Sequence, residues 1–373
     1  GIPTLKILVC RKCWHAQVEM YPNAKKVYVD KYSYHTKFNR SMSGHFRKYI
    51  ADVKKVTLLK KNDLIIDIGG NDGVLLDNFK KKKFTNLLNI EPNINAVKNS
   101  RYIGVKAENL FFNKETSEFI KNKYGMSKII FSTNTFGNID NLNNFVDGIY
   151  NIMDDKSVFI FENPYLLRTL EQVQFDTMYY EHVSYFSVSP LVKFFNSKNM
   201  ELFKCIETKI HGGSMMYFVK KNSSKKIKNN IKKFLKKEKK SKLNKIETYK
   251  AFAAKVMDKK NKIQTLLKSI KKNKKKIIAY GASDRGTVFM NYCKISNNEV
   301  AYVVDKNTKK IGYLTPGNYL KIKSIKNLYM DRPEYVLLNA WNFKDEILKQ
   351  FKQNMLKTKV IIPFPIIKIV NCN

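Results

Sequence analysis

The chain has 373 residues, enough for two or three domains that each bury a core. Its formal charge of +39 would suit a nucleic-acid binder, but it is built from 63 lysines against seven arginines. Arginine is the residue that reads guanine edges and clamps phosphates through two parallel bonds, so a specific nucleic-acid reader is not expected; the lysines read as a solvated surface that still favours anionic substrates.

The amino-terminal stretch, GIPTLKILVCRKC, lacks the long apolar region of a signal peptide. No apolar run approaches the about 20 residues that cross a bilayer. The five cysteines, at 10, 13, 205, 293 and 372, do not form a disulfide framework. A reduced, cytoplasmic setting is therefore expected. Cys10 and Cys13 form one CxxC, which is half of a zinc site. The nearby imidazoles, His15, His35 and His45, match no closed ligand set with them.

After a polar aromatic stretch, DLIIDI (63–68) reads as a strand that ends in GGNDG, and VLLDNF opens a helix. LLNIEP (87–92), KIIFST (128–133) and KSVFIFENP (156–164) read as further strands, with helical crossovers between them. Alternating strands and helices predict a mostly parallel sheet with its ligand at the carboxyl ends of the strands. HGGSMMYFVKK (211–221) reads as a later edge strand after a glycine turn. The lysine-rich tract that follows reads as a linker or a poorly buried helix, and from Tyr249 an apolar stripe predicts a long amphipathic helix. KKIIAYGAS (275–283), VAYVVDKN (300–307), YVLLNAW (335–341) and KVIIPFP then predict a second α/β domain.

Five places carry candidate chemistry. Asp67, Gly69, Gly70, Asn71, Asp72 and Gly73 lie between a strand and a helix, and Glu91 ends the next strand, where a carboxylate can accept from both hydroxyls of a ribose. The GxGxxG of dinucleotide sites is missing, and acidic residues stand where a pyrophosphate would be repelled. The cationic cofactor S-adenosylmethionine suits those charges better; the alternative is a tight acidic turn. Asn134, Asn138 and Asp140 follow the third strand, as ligand contacts or helix caps. In FDTMYYEHVSYFS (175–187), five aromatic residues surround Glu181 and His182, an imidazole suited to take a proton near neutral pH. His211 precedes two glycines, and Tyr280, Gly281 and Arg285 form a glycine turn that can hold a phosphate at a helix start.

Taken together, DIGGNDGVLL, NTFGNIDNL, FDTMYYEHVSYFS, IHGGS, YGASDRGTVFMNYC, VVDKNTKKIGYLTPG and LLNAWNFKDEI resemble the sugar C-methyltransferases of deoxysugar biosynthesis, which act on nucleotide-linked keto-hexoses. The resemblance implies an α/β chain with a central Rossmann-like class I methyltransferase domain, a small amino-terminal zinc module and a second, carboxyl-terminal Rossmann-like domain. The corresponding segments are 1–50, 51–222, a lysine-rich linker and helix at 223–271, and 272–373.

It further implies that His182 is the base, that Tyr179 and Glu181 contact the sugar, and that Asn138, Tyr180, His211, Tyr280 and Arg285 serve the substrate. Where this chain has Asn138, Tyr180 and Met216, the family often shows His, His and Arg. Cys10 and Cys13 match the second of the family's two CxxC pairs, so zinc is expected only if the first pair lies upstream of Gly1. A monomer acting on a small nucleotide sugar is expected, with no membrane span. O-methylation, and a noncatalytic or RNA-associated protein, are the rival expectations.

Overall fold

The computed structural model describes residues 5–20, 23–30, 40–221 and 227–372. His35 and much of the polar aromatic stretch around it lie outside the described residues. The chain divides into two compact units, one formed by Lys6–Leu166 with Tyr180–Asn244, the other by Gly1–Leu5, Leu167–Tyr179 and Lys245–Asn373.

The first unit opens with a hairpin, β1 (Ile7–Val9) and β2 (Ala16–Val18), whose turn carries the CxxC. Helix α1 (Arg40–Lys54) precedes β3 (Ile65–Ile68), α2 (Val74–Lys80), β4 (Leu87–Ile90), α3 (Ile94–Tyr102), β5 (Lys106–Glu108), α4 (Lys114–Tyr124), β6 (Ser127–Thr133), α5 (Leu142–Asn151) and β7 (Met153–Pro164). After α6 (Leu166–Glu171) come β8 (Ser184–Tyr185), α7 (Val188–Ser197), β9 (Met200–Thr208), β10 (Ser214–Lys221) and α8 (Asn229–Lys240).

Seven strands form one sheet in the order β5-β4-β3-β6-β7-β10-β9. The first five run parallel, and β10 pairs antiparallel with both β7 and β9. Every residue of β3 and β4 is buried, as helices on both faces of a parallel sheet require, and Ile65, Leu76, Phe79, Ile129, Phe131 and Phe218 lie in one apolar core with Tyr49 and Ile50 of α1. Because β3 leads outward to β4 and β6 leads the other way to β7, the strand order reverses between β3 and β6, the point at whose carboxyl ends open α/β sheets hold their ligands.

The second unit contains α9 (Ile246–Lys272), β11 (Ile277–Tyr280), α10 (Asp284–Tyr292), β12 (Val303–Asp305), β13 (Ile322–Ser324), α11 (Ile325–Asp331), β14 (Tyr335–Leu338), α12 (Lys344–Gln353), β15 (Thr358–Ile362) and β16 (Lys368–Cys372). Its sheet runs β13-β12-β11-β14-β15-β16, parallel except for the antiparallel edge strand β16. The mixed α/β, Rossmann-like architecture expected from the sequence is present in both units.

Two differences from the expected organisation have local causes. The lysine-rich tract is in part a true helix: α8 belongs to the first unit and buries Ile231, Phe234 and Glu238. The Glu238 carboxylate accepts from the Val188 N–H at 2.6 Å, the Ser189 N–H at 2.9 Å and the Tyr165 hydroxyl at 2.9 Å, so it closes the amino terminus of α7 from another helix. The amphipathic helix α9 belongs instead to the second unit and buries Val256, Ile263, Leu267 and Ile270. No helix among the described residues is long and apolar enough to cross a membrane.

Candidate active site

The loop after β3 is shaped by close approach. Gly69 has φ of 70°, and a Cβ there would lie 2.4 Å from the Thr135 side chain. A Cβ on Gly70 would lie 2.5 Å from Asn89 Oδ1 and 2.6 Å from Asp67 Oδ2. Gly73, with φ of 77°, ends the loop as the N-cap of α2.

Around this cradle the polar groups are buried and negative. Asn71 donates its N–H to Glu91 Oε2 at 2.9 Å, and Asn93 donates its N–H to Glu91 Oε1 at 2.9 Å. Asn89 Nδ2 donates to the Asn71 carbonyl at 2.8 Å. Burial first, and the Glu91 charge second, push the Asp67 carboxyl up to about 7. Glu91 is also pushed up to about 7 by burial, with the bonds from Asn93 and Asn71 opposing and the charge of Asp72 reinforcing it. Among the described residues nothing donates to Asp67 Oδ1 or to Asn89 Oδ1. Buried carboxylates in a glycine cradle, one with an unused oxygen, fit a cationic adenosine cofactor.

The loop after β6 supplies the facing wall. Asn134 takes a left-handed φ of 55° and donates its N–H to the Glu162 carbonyl at 2.7 Å. Asn138 ends a short 3-10 turn, and its Nδ2 donates to the Asn134 carbonyl at 3.4 Å. Tyr28, from the short helical segment Lys26–Asp30, reaches the same corner: burial and then the Glu181 charge raise its hydroxyl, while a hydrogen bond with Asn138 opposes. Asn93 Nδ2 ties this segment down through the Tyr28 carbonyl at 3.0 Å. Nothing in the sequence spacing pointed to Tyr28.

Tyr180, Glu181 and His182 are half-buried and form a turn rather than a strand, followed at once by β8. Strand β8 pairs with β2, and the Val18 N–H donates to the Val183 carbonyl at 3.0 Å, so the CxxC hairpin borders the residues next to His182. His15, in that hairpin, is bonded to Ser184 Oγ at 3.1 Å, and burial pushes its imidazole down to about 4. His211 has φ of 53° in the turn between β9 and β10, beside the end of β7. Tyr179 belongs by its contacts to the second unit, whereas Tyr180, Glu181 and His182 belong to the first.

A second imidazole and carboxylate meet where the sequence showed no link. His45 Nε2 of α1 lies 2.6 Å from Glu162 Oε2 at the end of β7.

In the second unit, Tyr280 is buried at the end of β11, and burial raises its hydroxyl. Arg285 is engaged: its Nε and Nη2 donate to Asp176 Oδ2 and Oδ1 at 2.8 and 3.0 Å, and Trp341 Nε1 donates to Asp176 Oδ2 at 2.8 Å. The guanidinium expected to hold a phosphate is thus clamped on a buried carboxylate.

Cys10 is exposed and Cys13 partly buried, both as free thiols. N–H bonds from Cys13 and Lys12 lower the Cys10 thiol, while burial raises Cys13. No group of three or more His, Cys, Asp or Glu residues among the described residues is arranged to hold a metal. Two thiols supply half of a tetrahedral set, so the described residues do not by themselves fit zinc.

Comparison with known proteins gives a consistent picture. A family model described as "C-methyltransferase C-terminal domain" matches residues 209–365, and one described as "Methyltransferase domain" matches residues 40–203. The C-methyltransferase NovU of Streptomyces niveus is 26% identical over 367 residues, which span 97% of this chain and 86% of NovU. Among solved structures, the plantazolicin methyltransferase BpumL in complex with a triazolic desmethylPZN analog and SAH overlaps with a TM-score of 0.40 and 11% identity, over 50% of this chain and 88% of BpumL. A SAM-dependent methyltransferase of Thermotoga maritima overlaps with a TM-score of 0.36 and 15% identity, over 47% of this chain and 89% of its own. These two overlaps are too loose to bear on chemistry. The two matched domains and the relative that spans nearly the whole chain agree: the chain is an S-adenosylmethionine-dependent methyltransferase that carries the C-methyltransferase C-terminal domain.

Proposed function

We propose that the enzyme methylates a carbon beside the carbonyl of a nucleotide-linked keto-deoxyhexose, through an enolate. The observation that supports this reading is the half-buried Glu181–His182 turn, whose Glu181 charge acts on Tyr28, a residue bonded to Asn138 and tied through Asn93 to Glu91 of the buried acidic cradle in the same unit. A methyl donor alone needs only the cradle. A carbon acceptor also needs a base, because a C–H bond must be broken before the carbon becomes nucleophilic.

Asp67, Asp72 and Glu91, with Gly69, Gly70, Asn71, Gly73 and Asn134, would hold S-adenosylmethionine, which when bound supplies an electrophilic methyl group. His182 takes the proton from the carbon next to the carbonyl, and the electron pair passes to the carbonyl oxygen. As the carbon takes the methyl group in line, the C=O bond reforms and the methyl–sulfur bond breaks with its electrons left on sulfur. Glu181 and Tyr179 contact the sugar in this reading, and the rings of Tyr180, Tyr185 and Phe186 limit reprotonation by bulk water. Alignment of donor and acceptor supplies much of the remaining acceleration.

The test is incubation with S-adenosylmethionine and a panel of nucleotide-linked 4-keto-deoxyhexoses, read by mass spectrometry, beside His182→Ala. A gain of one methylene that needs His182, with deuterium exchange at the carbon beside the ketone, is expected. Methylation of a hydroxyl, or a gain that survives His182→Ala, would sink the enolate reading.

A further inference from the structure

The pair formed by His45 and Glu162 has no part in the reaction as described so far, yet it is a bonded, largely buried imidazole and carboxylate in the first unit. The two residues are 117 positions apart and bonded at 2.6 Å. The Glu162 side chain has no exposed surface, and that of His45 is 14% exposed. The other oxygen of Glu162 accepts from the Thr208 hydroxyl at 2.7 Å, and its main-chain carbonyl accepts the Asn134 N–H at 2.7 Å. Tyr49, one turn along α1 from His45, packs its ring 5.8 Å from the imidazole and 5.5 Å from Phe131, and its hydroxyl lies 3.5 Å from Thr133 Oγ1.

These contacts place the pair at the carboxyl edge of β6, β7 and β9, where an open α/β sheet holds its ligands. Through Asn134 and Asn138 it is linked along one arc to Tyr28 and Glu181. A tautomer whose Nε2–H donates to the Glu162 carboxylate keeps a lone pair on Nδ1. No described group donates to that Nδ1. A fully buried carboxylate is a costly way to fix a helix in place, because apolar packing does so at less desolvation. It is an effective way to hold an imidazole in one tautomer for a ligand.

We propose that His45 is a further substrate-contacting residue, whose Nδ1 accepts the hydrogen of a hydroxyl on the methyl acceptor. Glu162 and Thr208 are its positioning residues. A hydroxyl held there fixes the rotation of a polyhydroxylated ring above the sheet edge, and so decides which carbon beside the carbonyl faces the transferred methyl group. The inference rests on the reading of the acceptor as a hydroxylated sugar, but not on the enolate step.

The test uses thymidine diphosphate glucose, a hydroxylated nucleotide sugar with no ketone, so that binding is read without turnover. In 15N-histidine NMR the wild-type protein is expected to show His45 as the Nε2–H tautomer, and Glu162→Gln to lose that preference. The Nδ1 resonance should move when thymidine diphosphate glucose is added and stay in place with S-adenosylhomocysteine alone. His45→Phe should weaken binding of the nucleotide sugar about tenfold, the scale of one uncharged hydrogen bond, and His45→Gln, which keeps an acceptor and a polar helix surface, should regain part of it. Affinity for S-adenosylhomocysteine should not change in either variant. An Nδ1–H tautomer, a shift caused by S-adenosylhomocysteine alone, no response to the nucleotide sugar, or unaltered sugar binding in His45→Phe would each overturn the proposal. A protein that gives the expected responses yet methylates no keto-sugar would remove the enolate reading and leave His45 in this role.

Discussion

Both units of the chain place a glycine turn after a central strand and a carboxylate at the end of the next strand, and the two versions treat that carboxylate differently. After β3, Asp67 and Glu91 are buried together, both raised to about 7, and one oxygen of Asp67 has no donor among the described residues. After β11, Asp305 is only half-buried and its two oxygens accept the N–H groups of Ala282 and Asn307, each at 2.7 Å. Lys310 Nζ adds a bond to the Ala282 carbonyl at 2.7 Å, and Arg285, which opens α10, is clamped by Asp176. The same strand–turn–helix topology therefore buries two carboxyls together in one unit, with an Asp67 oxygen that no described group meets, and leaves one half-buried, fully bonded carboxylate in the other. Topology locates a possible site, and the unmet electrostatics make the turn after β3 the one suited to a cation.

The sharpest way to break this contrast is to fill each turn. Gly70→Ala drives a Cβ into Asn89 and Asp67. Overpacking of this kind costs about 1–3 kcal/mol, so affinity for S-adenosylhomocysteine, measured by calorimetry, should fall up to about a hundredfold. Gly281→Ala meets Ala340 Cβ at 3.0 Å and strains a φ of 101°. It should lower thermal stability by about 2 kcal/mol and leave cofactor affinity unchanged.

Asp176→Ala should cost about 3 kcal/mol in unfolding experiments, because it strips the partner from a guanidinium that is mostly shielded from water, again with cofactor affinity intact. Glu91→Gln should weaken cofactor binding about tenfold through loss of a charged acceptor, whereas Asp305→Asn should have no effect on it. Cofactor affinity that responds to Asp305→Asn and ignores Glu91→Gln would reverse the assignment of the two turns.

Much of this architecture could be read from the chain because parallel strands buried on both faces are continuous apolar runs; β3, β4, β6, β7, β11, β12, β14 and β15 fall on predicted strands. Strand β9 was not predicted. Its sequence, MELFKCIET, has only partly buried residues in its last three positions and charged residues at 201, 204 and 207 that dilute its apolar run, although Asn199 turns the chain before it with a φ of 54°. Within the lysine-rich tract, the apolar signal of α8 was diluted by charge, and the informative residue was the lone acidic one, Glu238, which proved to be a helix cap supplied from a distance.

The cradle was legible for a similar reason: its glycines and carboxylates are local to strand ends. His45 with Glu162, and Tyr28 with Glu181 and Asn138, were not, because each grouping joins separate elements of the fold and no periodicity encodes such a meeting.

The electrostatic half of the comparison can also be tested without any mutation. Asp67 and Glu91 sit near 7 in the folded protein against about 4 when unfolded, so both bind protons more tightly in the fold. Their contribution to the stability of the cofactor-free protein is complete below about pH 4 and is lost as pH rises through about 7. A bound sulfonium cation favours the ionised carboxylates, so the cofactor should bind more tightly as pH rises from 6 to 8, with protons released on binding in that window. The gain in affinity is limited to about tenfold per unit for each group. Calorimetry of S-adenosylmethionine in two buffers of different ionisation heat reads the proton count directly, and S-adenosylhomocysteine, which lacks the sulfonium charge, should release fewer. Equal proton release by the two ligands would mean that the carboxylates respond to occupancy of the cradle, and not to the charge on sulfur.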